Sequence, residues 1–250
     1  MNNYRKKPFI PAIQKTSTLV VLSFIAILCF CITINFKIVE KSSSYNEKKA
    51  AANLMDEAMQ ILKESRMENG IFVDIENDPN ETGLVGSPFS LITTDEGDLD
   101  SKLTTLDPNF SAVIVDLMMQ LNLQSNDTVA ILMTGSMPGA NLAVLSACQA
   151  VGITPITISS LGASQWGANQ IDFTWLDMES ILIKKGLYFS KSIAASIGGR
   201  NDMGRLLSPS GRKIITDVIE SYNIPLIRNQ RLAENINARM NIYSSYIPIQ

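Results

Sequence analysis

Histidine is missing from all 250 residues. Its absence excludes Ser-His-Asp and Cys-His catalysis, histidine acid/base chemistry and ordinary zinc sites. Catalysis by this chain would have to use carboxylates, lysine, backbone dipoles or a carboxylate-held cation. Whether the chain is an enzyme stays open at this stage, and no cofactor is expected. Cysteine is scarce, with three in the chain, and two of them, Cys29 and Cys31, fall in one apolar run. Cys148 is left alone on an apolar helix pattern, so a disulfide framework is excluded and the thiol reads as a small hydrophobe. No internal repeat or low-complexity tract is present.

Basic residues are thin over most of the chain. Residues 37–183 carry 7 basic and 20 acidic side chains, whereas residues 184–250 carry 10 and 4. Arg200, Arg205, Arg212, Lys213, Arg228 and Arg231 fall in the second region, either as a solvated face or as a face that attracts an anion. With a pI near 5.1, nucleic acid is not an expected partner.

One long hydrophobic run stands out, Leu19 to Ile34, which with its flanks covers residues 17–36. That is enough to cross a bilayer as a helix. Arg5, Lys6, Lys7 and Lys15 precede it without an acidic residue, which favours a cytoplasmic residue 1–16 tail and a translocated remainder. Lys37, Lys41, Lys48 and Lys49 follow the run and oppose that bias. A cleaved signal peptide is the alternative, but Asn35-Phe36-Lys37 makes a poor cleavage site. Leu28 and Phe30 are too bulky for a lipoprotein signal. The expectation is a single-pass cell-membrane protein with an uncleaved anchor.

Beyond the run, residues 37–106 read as a juxtamembrane helix and an irregular acidic segment. Leu54, Met55, Ala58, Ile61 and Leu62 form one stripe of a helix from Glu47 to Glu68, ended by Gly70. Asn77 to Gly86 is a loop by composition. Asp95-Glu96-Gly97-Asp98 lacks the full calcium-loop pattern.

Residues 107–250 alternate strands and helices. Asp107-Pro108 opens a helix over Phe110 to Leu123. Strands are expected at Thr128–Met133, Thr154–Ser159, Ile193–Ile197 and Ile224–Ile227. Helices follow from Pro138 to Gly152, from a Thr174-x-x-Asp177 capping box to Gly186, from Ser208-Pro209 to about Tyr222, and from Arg231 to Tyr243. Such alternation implies an α/β domain with an open parallel sheet, Rossmann-like or doubly wound.

Three glycine-bearing polar loops follow strands, where open α/β sheets bind ligands. The first holds Thr134, Gly135, Ser136, Gly139 and Asn141, with a helix N-terminus behind it that suits an anion. It is neither a Walker loop, nor GxGxxG, nor G-x-S-x-G. The second holds Ser159, Ser160, Ser164, Trp166 and Asn169. The third holds Gly198, Gly199, Arg200 and Arg205, whose arginines suit carboxylate or phosphate. All fourteen residues are candidate ligand contacts. The first two loops also have a plain structural reading, as a tight turn capped by Ser136 and, for Trp166 with Trp175, as a cover over the sheet edge.

The segments Leu132 to Leu145, Ile158 to Asn169 and Phe173 to Glu179 resemble corresponding motifs of the poly-gamma-glutamate system protein family. The likeness runs from the apolar segment to near Tyr243. It implies a membrane-anchored accessory protein of poly-gamma-glutamate synthesis or export, a capsule-like polymer. It also implies the synthase or export membrane subunits as partners, and the anionic polymer as a ligand of the basic carboxyl-terminal region. Members of that family continue further, so on this resemblance the domain is truncated at its carboxyl terminus. Two alternatives stand beside it. One is an enzyme or sensor binding a sugar-phosphate-like small molecule. The other is a serine-dependent amide hydrolase acting on the polymer, with Ser136 as nucleophile and Lys184, Lys185 or Lys191 as its lysine partner.

Overall fold

The computed structural model describes residues 11, 14–36 and 40–246. Arg5, Lys6 and Lys7, which favour the expected orientation, and Lys37, which opposes it, lie outside the described residues. The chain divides into two compact units, residues 1–43 and residues 44–250.

The first unit contains one helix, α1 (Thr16–Asn35), of 20 residues and mean hydropathy 2.6 over its most apolar window, with no buried residue. It is long and apolar enough to cross a membrane, a property that it shares with signal sequences.

The second unit begins with α2 (Tyr45–Glu68). This helix buries Met55, Ala58 and Leu62 in the main core, together with residues of the α/β part. Gly70, at φ +73°, takes the left-handed conformation past its end. Two short helices follow, α3 (Leu99–Thr105) and α4 (Asn109–Gln120). Then come β1 (Thr128–Thr134), α5 (Pro138–Val151), β2 (Thr154–Ser160), β3 (Asn169–Gln170), β4 (Phe173–Thr174) and α6 (Trp175–Lys184). The chain closes with β5 (Ala194–Ser196), α7 (Pro209–Ser221), β6 (Leu226–Ile227) and α8 (Leu232–Tyr246).

The four longer-range strands form a parallel sheet in the order β1-β2-β5-β6. β3 and β4 make a separate antiparallel pair. Among the described residues the order follows the chain without reversing. Alternation along each strand sends residues to two layers. Met133 and Ala195 join α2, α5, α6 and α7 in the main core, which holds Trp175, Phe173, Leu142 and Ile215. Ile158, Ala194 and Ile227 face the other way, onto Tyr243 of α8. The Tyr243 hydroxyl donates to the Ile131 carbonyl at 2.6 Å. That second face is only part covered, and Leu132 of β1 is 62% exposed.

The helix ends follow their local chemistry. The Thr174 hydroxyl and N–H both donate to Asp177, closing the expected capping box. Ser208 accepts from the Gly211 N–H at the start of α7. Asp98 accepts from the Ser101 N–H at 2.7 Å and caps α3, so it serves a helix rather than a cation loop.

Candidate functional site

The carboxyl ends of β1, β2 and β5 lie side by side because the strands pair in register, Thr134 with Ser160 and Ser160 with Ser196. A cleft of about 650 Å³ opens there. Its lining includes Thr134 and Ser136 after β1, Ser160, Gly162 and Ser164 after β2, and Gly198 and Gly199 after β5. Thr94 and Asp95 enter from the preceding segment, and Leu232, Ile236 and Arg239 from α8.

Close backbone approach builds the rim. A side chain at Gly135 would meet the Leu161 carbonyl at 2.5 Å, so the β1 loop can lie against the β2 loop only with glycine there. The Ala168 N–H donates to the Gly135 carbonyl at 2.7 Å, and the Gly135 N–H donates to the Ser160 carbonyl at 2.8 Å. Across the same junction the Ser164 N–H donates to Ser136 Oγ at 3.0 Å.

Beneath this junction sits Lys102, from α3. It is 3% exposed. Its Nζ donates to the Ser136 carbonyl at 2.5 Å and to Ser164 Oγ at 2.9 Å. Burial lowers its pKa to about 8 against the raising influence of Asp98. No other basic side chain is recorded at Ser136 or Ser164 among the described residues. Lys184 and Lys191 instead line a separate recess beside Glu179 and Tyr222, and Lys185 ends α6. Helix α3 has a sequence signal, an Asp98-x-x-Ser101 cap ahead of Leu99, Leu103 and Leu106. The density of aspartate and threonine around it masks that signal.

At the β5 corner lies a buried ion pair. Arg239 Nη2 is 2.7 Å from Asp202 Oδ2, and both side chains are under a tenth exposed. Ser196 Oγ donates to Asp202 Oδ1 at 2.6 Å and accepts from Arg239 Nη2 at 2.7 Å. Arg239 Nε is buried without a hydrogen-bond partner among the described residues. Asp202 and Arg239 are 37 residues apart, on a 3-10 turn and α8, and no local pattern connects them.

Of the fourteen candidate residues, six line the cleft: Thr134, Ser136, Ser160, Ser164, Gly198 and Gly199. Gly135 shapes it as described. The others sit elsewhere. Gly139 lies inside α5, where a side chain would meet the Thr105 carbonyl at 2.6 Å. Asn141 is buried, and its Nδ2 donates to the Thr134 carbonyl at 2.8 Å, bracing the β1 loop from the helix side. Ser159 points to the opposite face of β2, 2.6 Å from Ser192 Oγ. Trp166 takes φ +56° and packs on the main core. Asn169 is buried and bonds both backbone groups of Ser87 and the Thr93 hydroxyl. Arg200 is exposed outside the cleft, and Arg205 borders a second recess.

That recess, of about 370 Å³, gathers Arg205, Arg212 and Arg228 with Met203. Arg212 is held by donating to the Gly204 and Leu207 carbonyls. Arg205 and Arg228 are exposed.

No family model, no curated protein and no solved structure matches this chain.

Proposed function

We propose that this chain is a membrane-anchored accessory protein of poly-gamma-glutamate synthesis or export, with α1 as a single-pass anchor. Its amino terminus is cytoplasmic and its α/β domain lies outside the cytoplasm. In this reading the domain engages the anionic polymer and associates with the synthase or export membrane subunits. The observation that carries the proposal joins two lines. The segments that resemble the family, Leu132 to Leu145 and Ile158 to Asn169, supply the neighbouring strand ends and loops that rim the 650 Å³ cleft. The gathering of Arg205, Arg212 and Arg228 supports the polyanion contact, since guanidinium groups pair carboxylates well.

The test is binding of fluorescent poly-gamma-glutamate to the full chain in lipid nanodiscs. Arg205→Glu with Arg228→Glu is expected to lower affinity at least tenfold and to flatten its salt dependence. Equal affinity in the double variant would refute polymer contact at this patch. A pull-down of the anchored protein from native membrane, with and without Gly135→Val, tests the synthase association.

A second reading, a small-molecule enzyme or sensor, is favoured by the size of the cleft, which falls in the range of small-ligand pockets. A thermal shift with sugar phosphates, lost in Ser160→Leu, would support it. No shift across the panel would dismiss it.

A further inference from the structure

We propose that Ser164 and Lys102 form a serine–lysine acyl-transfer pair in the cleft, with Ser164 Oγ as the nucleophile, Lys102 Nζ as its base and substrates carrying an amide or ester carbonyl. The proposal does not depend on the polymer reading.

The geometry has three parts. Ser164 lines the cleft and is part exposed. Lys102 Nζ lies 2.9 Å from that hydroxyl, within the reach that a general base needs, and is itself shielded from water. Ser136 Oγ, 3.0 Å from the Ser164 nitrogen, already accepts there, which leaves its own hydrogen to donate to a developing oxyanion. Lysine serves as base in place of histidine in such pairs once it is desolvated. Burial holds Lys102 at about 8, so a useful fraction of the amine is neutral near neutral pH. Asp98 is the charged group that acts on it, and the polar atoms facing it from the β1 and β2 loops are uncharged.

The chemistry balances within the site. Neutral Lys102 keeps an N–H on the Ser136 carbonyl and takes the Ser164 proton. Ser164 Oγ bonds to the carbonyl carbon, whose π electrons move to oxygen beside the Ser136 hydroxyl. The tetrahedral intermediate collapses, the carbon–nitrogen or carbon–oxygen bond breaks, and the leaving group takes the proton from the Lys102 ammonium. Water then repeats the sequence on the acyl-serine, releasing the acid and restoring Ser164.

The experiment uses the full chain in detergent micelles and a fluorophosphonate probe, with hydrolysis of a p-nitrophenyl ester in parallel. The expected result is covalent labelling that maps to Ser164 and rises as pH passes through about 8. Ser164→Ala should abolish it. Lys102→Arg cannot act as a base and should cut the labelling rate at least a hundredfold in protein shown to be folded by its thermal unfolding transition. Folded parent protein that neither labels nor hydrolyses the ester overturns the proposal. So does labelling that maps to Ser136, or a folded Lys102→Arg protein that labels at the parent rate.

Discussion

Glu179 offers the sharpest check on the packing around the sheet. It sits on α6, 3% exposed. Its carboxylate accepts from the Ser192 N–H at 2.8 Å and the Ser192 hydroxyl at 3.0 Å. Burial outweighs these bonds and raises its pKa from 4.5 to about 7. The folded state therefore holds the Glu179 proton over a range in which the unfolded chain has lost it. Between pH 4.5 and 7 the native state binds one more proton than the unfolded state, so stability falls as pH rises. At roughly 1.4 kcal/mol per unit, the loss approaches 3 kcal/mol by pH 7 and levels off above it. For a domain of this size that corresponds to a drop of about 6–12 °C in Tm. Other perturbed groups leave this window clear. Asp74 and Asp98 are lowered, so their effects lie at acid pH. Lys102, lowered to about 8, acts between pH 8 and 10.5 with stability rising with pH. Thermal unfolding of the full chain in micelles, read by fluorescence of the buried Trp175 from pH 5 to 8, measures the effect. Glu179→Gln keeps the shape and an acceptor for Ser192 while removing the titration, so its curve should be flat between pH 5 and 7. A parent curve that is flat or rising in that interval refutes the reasoning, as does a Gln variant that keeps the fall.

Three further outcomes follow from the contacts. Gly139→Ala places a methyl within 2.6–2.9 Å of Thr105 and Leu106. It should cost about 1–3 kcal/mol by denaturant titration. Arg239→Leu strands Asp202 at a buried site and should cost about 3–5 kcal/mol, whereas adding Asp202→Asn should recover much of that loss in a double-mutant cycle. Leu132→Thr, on the exposed face of β1, should change stability by less than about 0.5 kcal/mol despite its position in a parallel strand.

Local signals settled much of this protein before any tertiary contact is considered. The Thr174-x-x-Asp177 box, the Ser208-Pro209 start and the glycines at 70, 152 and 186 act within one turn of chain. They marked the helix ends that the fold contains. Apolar runs bounded by such signals likewise marked β1 and β2, and the 20-residue α1 is legible from composition alone. The position of three polar loops at one sheet edge follows from strand–helix alternation, because parallel strands bring their carboxyl ends together.

Only the tertiary structure decided which side of each loop faces the cleft. A strand alternates faces at every residue, so Ser159 and Ser160 part company, one toward Ser192 and the other into the cleft. It also decided that α2 belongs to the main core, since its stripe could have met a partner as readily as α5. Lys102 met Ser164, and Asp202 met Arg239, through chain separations that no periodicity spans. The lysines expected as partners of Ser136 went elsewhere: Lys184, at the end of α6, and Lys191, beyond it, line another recess. Patterning fixes what each segment can bury and where it must turn. Which buried polar groups satisfy one another is set by packing, and in this chain the candidate chemistry lies there.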